Sequence, residues 1–127
     1  MKTQITRTGM LAEEMTRTGI RSILDGQLSY QTDFRLLEFG LKAPVFNNDR
    51  TRIIEVSGWV DFTHYWTDQP QHELAFAGRM TIEKAPNSGE WRPSFVSLTL
   101  YRDVYRDIQL GHVDGQCALV SSQLKLT

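Results

Sequence analysis

The strongest constraint on the fold is an alternation of apolar and polar residues that spans Arg52–Arg106. Within it, the apolar residues occupy mostly even positions in Arg52–Trp66, in Glu73–Glu83 and in Arg92–Arg106. Because successive side chains of a β-strand point to opposite faces of the sheet, each segment has one apolar face and one wetter face. We therefore predict three long antiparallel strands in one curved sheet, with another element packed on the apolar face.

The alternation also assigns side chains to the two faces. The predicted inner face carries Ile54, Val56, Val60, Phe62, His64, Trp66, Leu74, Phe76, Met80, Ile82, Val96, Leu98, Leu100 and Val104. The predicted outer face carries the aromatic residues Trp59, Tyr65, Phe95, Tyr101 and Tyr105 beside Ser97, Thr99 and Asp103. Aromatic residues are enriched at protein interfaces, so this face predicts a homodimer. The alternative is a strongly curved sheet that buries part of both faces.

An amphipathic helix is predicted before the sheet. One broad helical stripe contains Met10, Leu11, Met15, Ile20, Ile23, Leu24 and Leu28. Gly19 weakens the middle of this helix by about 1 kcal/mol relative to alanine, which allows a break into two short helices. Asp25 and Gly26 provide an end, because glycine readily adopts the left-handed cap. The following segment, Leu28–Phe46, fits a short helix or a first strand about equally well.

Turn signals separate the strands. Polar or glycine-containing turns are predicted at Asn47–Asp49, Thr67–His72 and Ala85–Gly89. Pro93 has no backbone N–H, so it indicates an edge or a bulge at the start of the third long strand. The glycine-flanked segment around His112 and Asp114 is typical of a loop, although the two side chains would share a face in an extended chain. A last strand is predicted within Gln116–Leu126.

Length and composition set the class of protein. The chain has 127 residues, a length that allows one domain with its own core. Its 40% of apolar and 23% of charged residues are ordinary for a soluble globular protein. We predict a single α+β domain over residues 1–127, with an N-terminal helix packed on a curved antiparallel β-sheet of four to five strands. The net charge of −1 argues against a nucleic-acid or membrane partner.

Individual residue types narrow the chemistry further. Cys117 is the single cysteine, so neither an internal disulfide nor a thiolate metal cluster is expected. A reducing compartment fits this, and without an apolar leader or spanning run the sequence predicts a cytoplasmic location. Arginine dominates the basic residues, which favours an interface or an anionic ligand because its planar group makes paired contacts. Salt-bridged strand edges are the alternative.

His64 is the most suggestive single residue, because it falls on the apolar face between Phe62 and Trp66. Desolvation favours a neutral imidazole, which suits a general base or a hydrogen-bond donor in a pocket. The alternative is a histidine at a strand end, with one ring nitrogen in water. The chain contains no glycine-rich phosphate loop, nucleophile elbow or dinucleotide fingerprint, so we predict no cofactor and leave catalytic residues unassigned.

The first hairpin offers potential metal ligands, namely Asp61, His64, Asp68, His72 and Glu73. A metal needs three or four ligands that converge. Asp61 and His64 point to opposite faces of a strand, so no metal site is predicted there.

Three segments together resemble a known family: VSGWVDFTHYW, ELAFAGRMTIEK and GEWRPSFVSLTLY. This succession is similar to the end of NTF2-like (cystatin-like, cone-shaped α+β) domains, where a Gly-x-Trp turn leads into a late strand. The resemblance covers roughly the second half of the chain. It implies a pocket between the curved sheet and the N-terminal helices, in a family of isomerases, dehydratases, cyclases and non-catalytic assembly modules. The family usually has two or three helices and a short strand before the long ones, and the first half departs from this.

Two functions are therefore expected. The first is an apolar small-molecule pocket with isomerase- or dehydratase-like chemistry, lined by Val60, Phe62, His64, Trp66 and Phe76. The alternative is a non-catalytic homo-oligomeric or assembly module that uses the outer face. A pocket filled by side chains under an exposed sheet favours the second function.

Overall fold

The fold is seen in a computed structural model that describes residues 7–27, 34–62, 72–101, 106, 108–120 and 123–127. The elements are α1 (Arg7–Gln27), β1 (Phe34–Asn47), β2 (Thr51–Phe62), β3 (His72–Lys84), β4 (Trp91–Tyr101), β5 (Gln109–Val120) and β6 (Gln123–Leu126). The strands form one antiparallel sheet in chain order. The sheet is strongly curled and α1 packs on it, which confirms the α+β class. Within the described ranges no helix is long and apolar enough to cross a membrane.

The predicted number of strands was too low, since six are described rather than four or five. Part of the ambiguous segment Leu28–Phe46 belongs to β1, which begins at Phe34. The segment around His112, predicted as a loop, is the first half of β5. Its glycine at position 115 serves packing rather than a turn, because a Cβ there would lie 2.6 Å from Leu126 Cδ1. The single predicted last strand is the β5–β6 hairpin.

The turns and the proline follow the sequence signals. The Asn48 side chain accepts hydrogen bonds from the backbone N–H groups of Arg50 and Thr51, at 2.9 and 2.7 Å. Pro93 lies at a β-bulge near the start of β4. Thr81 pairs with Phe95, whereas the next residue on β3, Ile82, pairs with Pro93, so Ser94 is the extra residue. The bulge prediction is confirmed. β3 begins at His72, a residue that we had predicted to lie in the preceding loop.

The inner face of the sheet is filled by its own side chains and by α1. Residues at 0–5% exposure on β2 to β4 are Val56, Val60, Leu74, Phe76, Met80, Ile82, Val96, Leu98 and Leu100. From α1 the core receives Leu11, Ala12, Met15, Ile20, Ile23 and Leu24. The helix lies against β4, β5 and β6. Met10, which we had placed in the apolar stripe, is instead 59% exposed.

Gly19 does not break the helix, which runs without interruption from Arg7 to Gln27. A Cβ at Gly19 would lie 3.2 Å from Leu98 Cδ2 and 3.4 Å from Val113 Cγ1. The missing side chain therefore lets α1 approach β4 and β5 closely. The start of the helix also contacts β4, since the Thr8 hydroxyl donates a hydrogen bond to the backbone carbonyl of Trp91 at 2.8 Å.

Candidate functional site

The residues predicted to line an apolar pocket fall into two groups. Val60 and Phe76 lie on the inner face with 0% exposure, so no cavity large enough for a water molecule borders either side chain. His64 and Trp66 lie outside the described residues, as does the side chain of Phe62. An apolar pocket lined by these five residues stays a prediction.

Of the residues considered as metal ligands, Asp61 is the one whose side chain the structure describes. Asp61 is buried on the outer side of β2, where its Oδ2 accepts a 2.5 Å hydrogen bond from the Arg35 guanidinium. His64 and Asp68 lie outside the described residues, and His72 and Glu73 are described by their backbone alone. In the part of the chain that the structure describes, no group of three His, Cys, Asp or Glu residues could hold a metal ion.

The outer face is built in rows, because antiparallel register places paired residues on the same side. One row, which we call the apolar band, runs across four strands through Phe46, Ile53, Thr81 and Phe95. Phe46 is 47% exposed and Phe95 is 38% exposed. Trp59 and Tyr101 also alternate to this face as predicted, whereas Tyr65 and Tyr105 lie outside the described residues. The band contains the two phenylalanine side chains that are exposed among the described residues.

Beyond the apolar band lies a concavity that we call the outer groove. Its floor consists of short residues in one register row, Ser57, Ala77 and Thr99. Short side chains between longer neighbours leave a space of about 270 Å³, which Arg79 and Tyr101 also line. A smaller pocket of about 110 Å³ beside Trp59 continues it, shares Ser57 and Arg106 with it and is also lined by the carboxylate of Glu38.

Positive charge dominates the outer groove. The described residues that line it include Lys42, Arg79 and Arg106 and a single carboxylate, that of Glu55. Lys42 comes from an irregular stretch of β1, where the register shifts between Leu41 and Pro44. Arg106 follows β4 and has a φ of 61°, the left-handed region that bulky residues rarely adopt. Lys42 therefore reaches the groove from an irregular part of β1, and Arg106 reaches it from a backbone in the left-handed region.

A hydrogen-bonded network adjoins the outer groove on β4 and β5. His112 Nδ1 lies 2.7 Å from Thr99 Oγ1, and His112 Nε2 lies 2.8 Å from Asp114 Oδ1. Hydrogen bonds from Ser97 and His112 hold the pKa of Asp114 below its ordinary value. Because an ionised carboxylate only accepts, Nε2–H donates to it, and in the neutral imidazole Nδ1 accepts the Thr99 hydroxyl.

This series of hydroxyl, imidazole and carboxylate resembles the order of groups in a nucleophilic triad. A triad works in a site that excludes water and provides donors for an oxyanion. The His112 and Asp114 side chains are instead 37% and 55% exposed, and Thr99 is simply the cross-strand partner of His112. The network therefore orients the Thr99 hydroxyl at the end of the outer groove, and it supplies no nucleophile.

Sequence patterns indicated part of this region. The sequence indicated that His112 and Asp114 would share a face if extended, but it placed them in a loop. It also indicated that arginine favours an anionic ligand or an interface, without showing which arginines. Arg79 follows the alternation to the outer face, whereas Arg106 depends on where the chain returns after β4, which no local pattern encodes.

Comparisons of the chain with protein-family models, with curated proteins and with solved structures found no match. The function is therefore argued from the geometry of the two faces.

Proposed function

We propose that this protein is a non-catalytic interaction module that forms a homodimer through the outer face of its sheet. The observation that carries the proposal is the contrast between Val60 and Phe76, fully buried on the inner face, and Phe46 and Phe95, exposed on the outer face. A filled interior beneath an exposed apolar band favours partner binding over ligand enclosure.

The outer face has the size that such a dimer requires. Five strands spaced about 4.8 Å apart, with lengths of ten or more residues, present roughly 800 Å². A standard interface buries about 800 Å² on each partner, and a credible one buries more than about 1,000 Å² in total. Charged and hydroxyl side chains surround the apolar band, as in interfaces whose apolar centre has a polar rim. Two copies that meet across the band would reach the minimum with about 500 Å² of this face on each partner, so the dimer does not need the rest of the face.

An NTF2-like relationship belongs to the same proposal. Its support is the packing of α1 on a curled antiparallel sheet, together with the segments quoted above. A family that includes non-catalytic assembly modules is consistent with a dimer that needs no active site. A cytoplasmic location likewise stays a prediction from the sequence.

A second candidate function is an apolar small-molecule pocket at one end of the inner face. Its support is that Phe34 and Leu36, on β1 at that end, are only partly buried, unlike the closed middle of the face. In the register Phe34 pairs with Phe62, two residues before His64. His64→Gln would weaken the binding of an apolar ligand and leave the fold intact. An NMR titration in which His64 behaves as a free imidazole would contradict a desolvated site.

Light scattering over a range of protein concentrations tests the homodimer. We expect the wild-type chain to reach twice the monomer mass, and Phe95→Lys to remain monomeric because it places a charge in the apolar band. Met10→Lys is the matched control, since Met10 is an exposed apolar residue on α1. A monomer mass for the wild type at high concentration would contradict the proposal.

A further inference from the structure

We propose that the outer groove binds a small oxyanion ligand, one that carries a phosphate or carboxylate group, through Arg79, Arg106 and Lys42. This function goes beyond dimer formation: the groove shares the outer face with the apolar band, but its row Ser57–Ala77–Thr99 lies four residues along the strands from the row of the band, Ile53–Thr81–Phe95. It rests on three observations. Two arginines in the groove have no described carboxylate or aromatic partner, hydroxyl groups lie beside them, and the groove has room for a small ligand.

Two arginines without a described partner meet in the outer groove. Among the described arginines, those that pair with a carboxylate are Arg7, Arg17, Arg35 and Arg92. Arg21 and Arg52 lie over aromatic rings. Arg50, Arg79 and Arg106 make neither contact with any described residue. Arg50 stands by itself at the β1–β2 turn, whereas Arg79 and Arg106 line the same groove.

The one acidic residue among the described residues of the outer groove does not neutralise it. Glu55 is the cross-strand partner of Arg79, yet the two side chains form no ion pair. Three cations therefore face one carboxylate in a single concavity, where their mutual repulsion is relieved when an anion binds. The guanidinium of Arg79 remains free to make the two parallel hydrogen bonds that fit a carboxylate or a phosphate.

Hydroxyl groups complete the set of donors. Ser57, Thr99 and Tyr101 line the same groove. The Thr99 hydroxyl already donates its hydrogen to His112 Nδ1 at 2.7 Å, so the hydroxyl donors that face a ligand are those of Ser57 and Tyr101. Positive charge and hydroxyl donors on one surface are the groups that recognise oxyanions.

The volume limits the ligand to a small one. The outer groove encloses about 270 Å³, just below the range of roughly 300–1,000 Å³ that is usual for small-molecule sites. This accommodates a phosphate, a short phosphate ester or a dicarboxylate. A nucleic-acid strand would need an extended positive surface, which the chain's net charge of −1 does not favour.

NMR titrations of the full chain with inorganic phosphate and, separately, with succinate test this proposal. Both titrations are run against sodium chloride at matched ionic strength, because exposed charges are screened by salt. We expect saturable shifts of the amide signals of Ser57, Arg79 and Thr99. Saturation by phosphate alone identifies a phosphate-bearing ligand, saturation by succinate alone a carboxylate ligand, and saturation by both a general oxyanion site.

Variants then connect the binding to the groove. Arg79→Gln and Arg106→Gln should each weaken the anion about tenfold, the loss expected for one charged hydrogen-bonding group. Arg50→Gln is the matched control, since Arg50 lies at the β1–β2 turn outside the groove and also forms no ion pair with a described residue. All three side chains are exposed, so the variants should fold, which amide spectra would confirm. The proposal is overturned if neither anion saturates, or if Arg50→Gln weakens binding as much as Arg79→Gln does.

Discussion

The two faces of the sheet arise from one alternation, yet they differ in what covers them. On the inner face Val60, Phe76 and Leu98 are fully buried against neighbouring strands and α1. On the outer face Phe46 and Phe95 remain exposed within the described part of the chain. The alternation of side chains along a strand decides which face of the sheet each residue occupies. Whether a face becomes core or binding surface depends on whether another element, here α1, packs on it.

The largest expected effect comes from the adjacent positions 98 and 99, which lie on opposite faces. Leu98→Ala should lower the free energy of unfolding by about 2–5 kcal/mol, because it removes buried methyl groups and leaves a cavity. Thr99→Ala, on the half-buried outer side, should lower it far less. Urea denaturation of both variants measures the difference. Equal losses would show that the faces are wrongly assigned.

Cysteine reactivity provides a second comparison of the faces. Burial raises the pKa of the half-buried Cys117 thiol to about 11. Because the thiolate is the reactive form, a thiol reagent at neutral pH should modify Cys117 roughly a hundredfold more slowly than an unperturbed thiol. The control is Gln116→Cys in a Cys117→Ser background, since Gln116 is exposed on the outer face. Similar rates for the two thiols would show that Cys117 is no better shielded than position 116 on the outer face of β5.

The contact between α1 and the sheet should tolerate little added volume. Gly19→Val would push a branched side chain against Leu98 and Val113, and overpacking of this kind costs about 1–3 kcal/mol. Thr18→Val is the control, because it introduces the same side chain at the preceding, partly exposed position. Thermal unfolding measures both variants. A Gly19→Val protein as stable as the control would mean that the helix is packed less closely than described.

The outer-face network predicts the smallest effect, a change in the acid dependence of stability. The folded pKa of Asp114 is lowered by hydrogen bonds from Ser97 and His112. The stability that this carboxylate contributes is therefore present above its ordinary pKa of about 3.9 and is lost as the pH falls through the lower folded value. Melting temperatures between neutral and acidic pH should fall less steeply for Asp114→Asn than for the wild type. Glu14→Gln, at an exposed position on α1, should leave the slope unchanged.

The sequence predicts the middle of the fold better than its ends, for physical reasons. β2, β3 and β4 have long neighbours on both sides, so burial imposes a regular alternation on them. β1 lies at the edge of the sheet with Leu41, Val45 and Phe46 exposed, and its register shifts twice near Pro44. A strand so little constrained by burial has no strict period. The first half of β5 was predicted as a loop because glycines flank it, yet one of them, Gly115, makes room for Leu126 within the strand.

The candidate site was less predictable than the fold, because it depends on contacts between distant segments. The apolar band follows from register once Phe46 is known to pair with Ile53. The outer groove needs Lys42 from an irregular strand and Arg106 from the chain after β4, and neither position follows from local pattern. The excess of arginine was the one signal of an anionic ligand that composition carried.

Side-chain footprinting with hydroxyl radicals, at low and high protein concentration, tests the central contrast most directly. Phe76 should resist labelling at both concentrations, because the inner face is filled. Phe46 and Phe95 should be labelled in dilute protein and protected in concentrated protein, where the outer faces of two copies meet. Labelling of Phe76 at the rate of Phe95, or labelling of Phe95 that does not change with concentration, would contradict a closed inner face opposite a dimerising outer face.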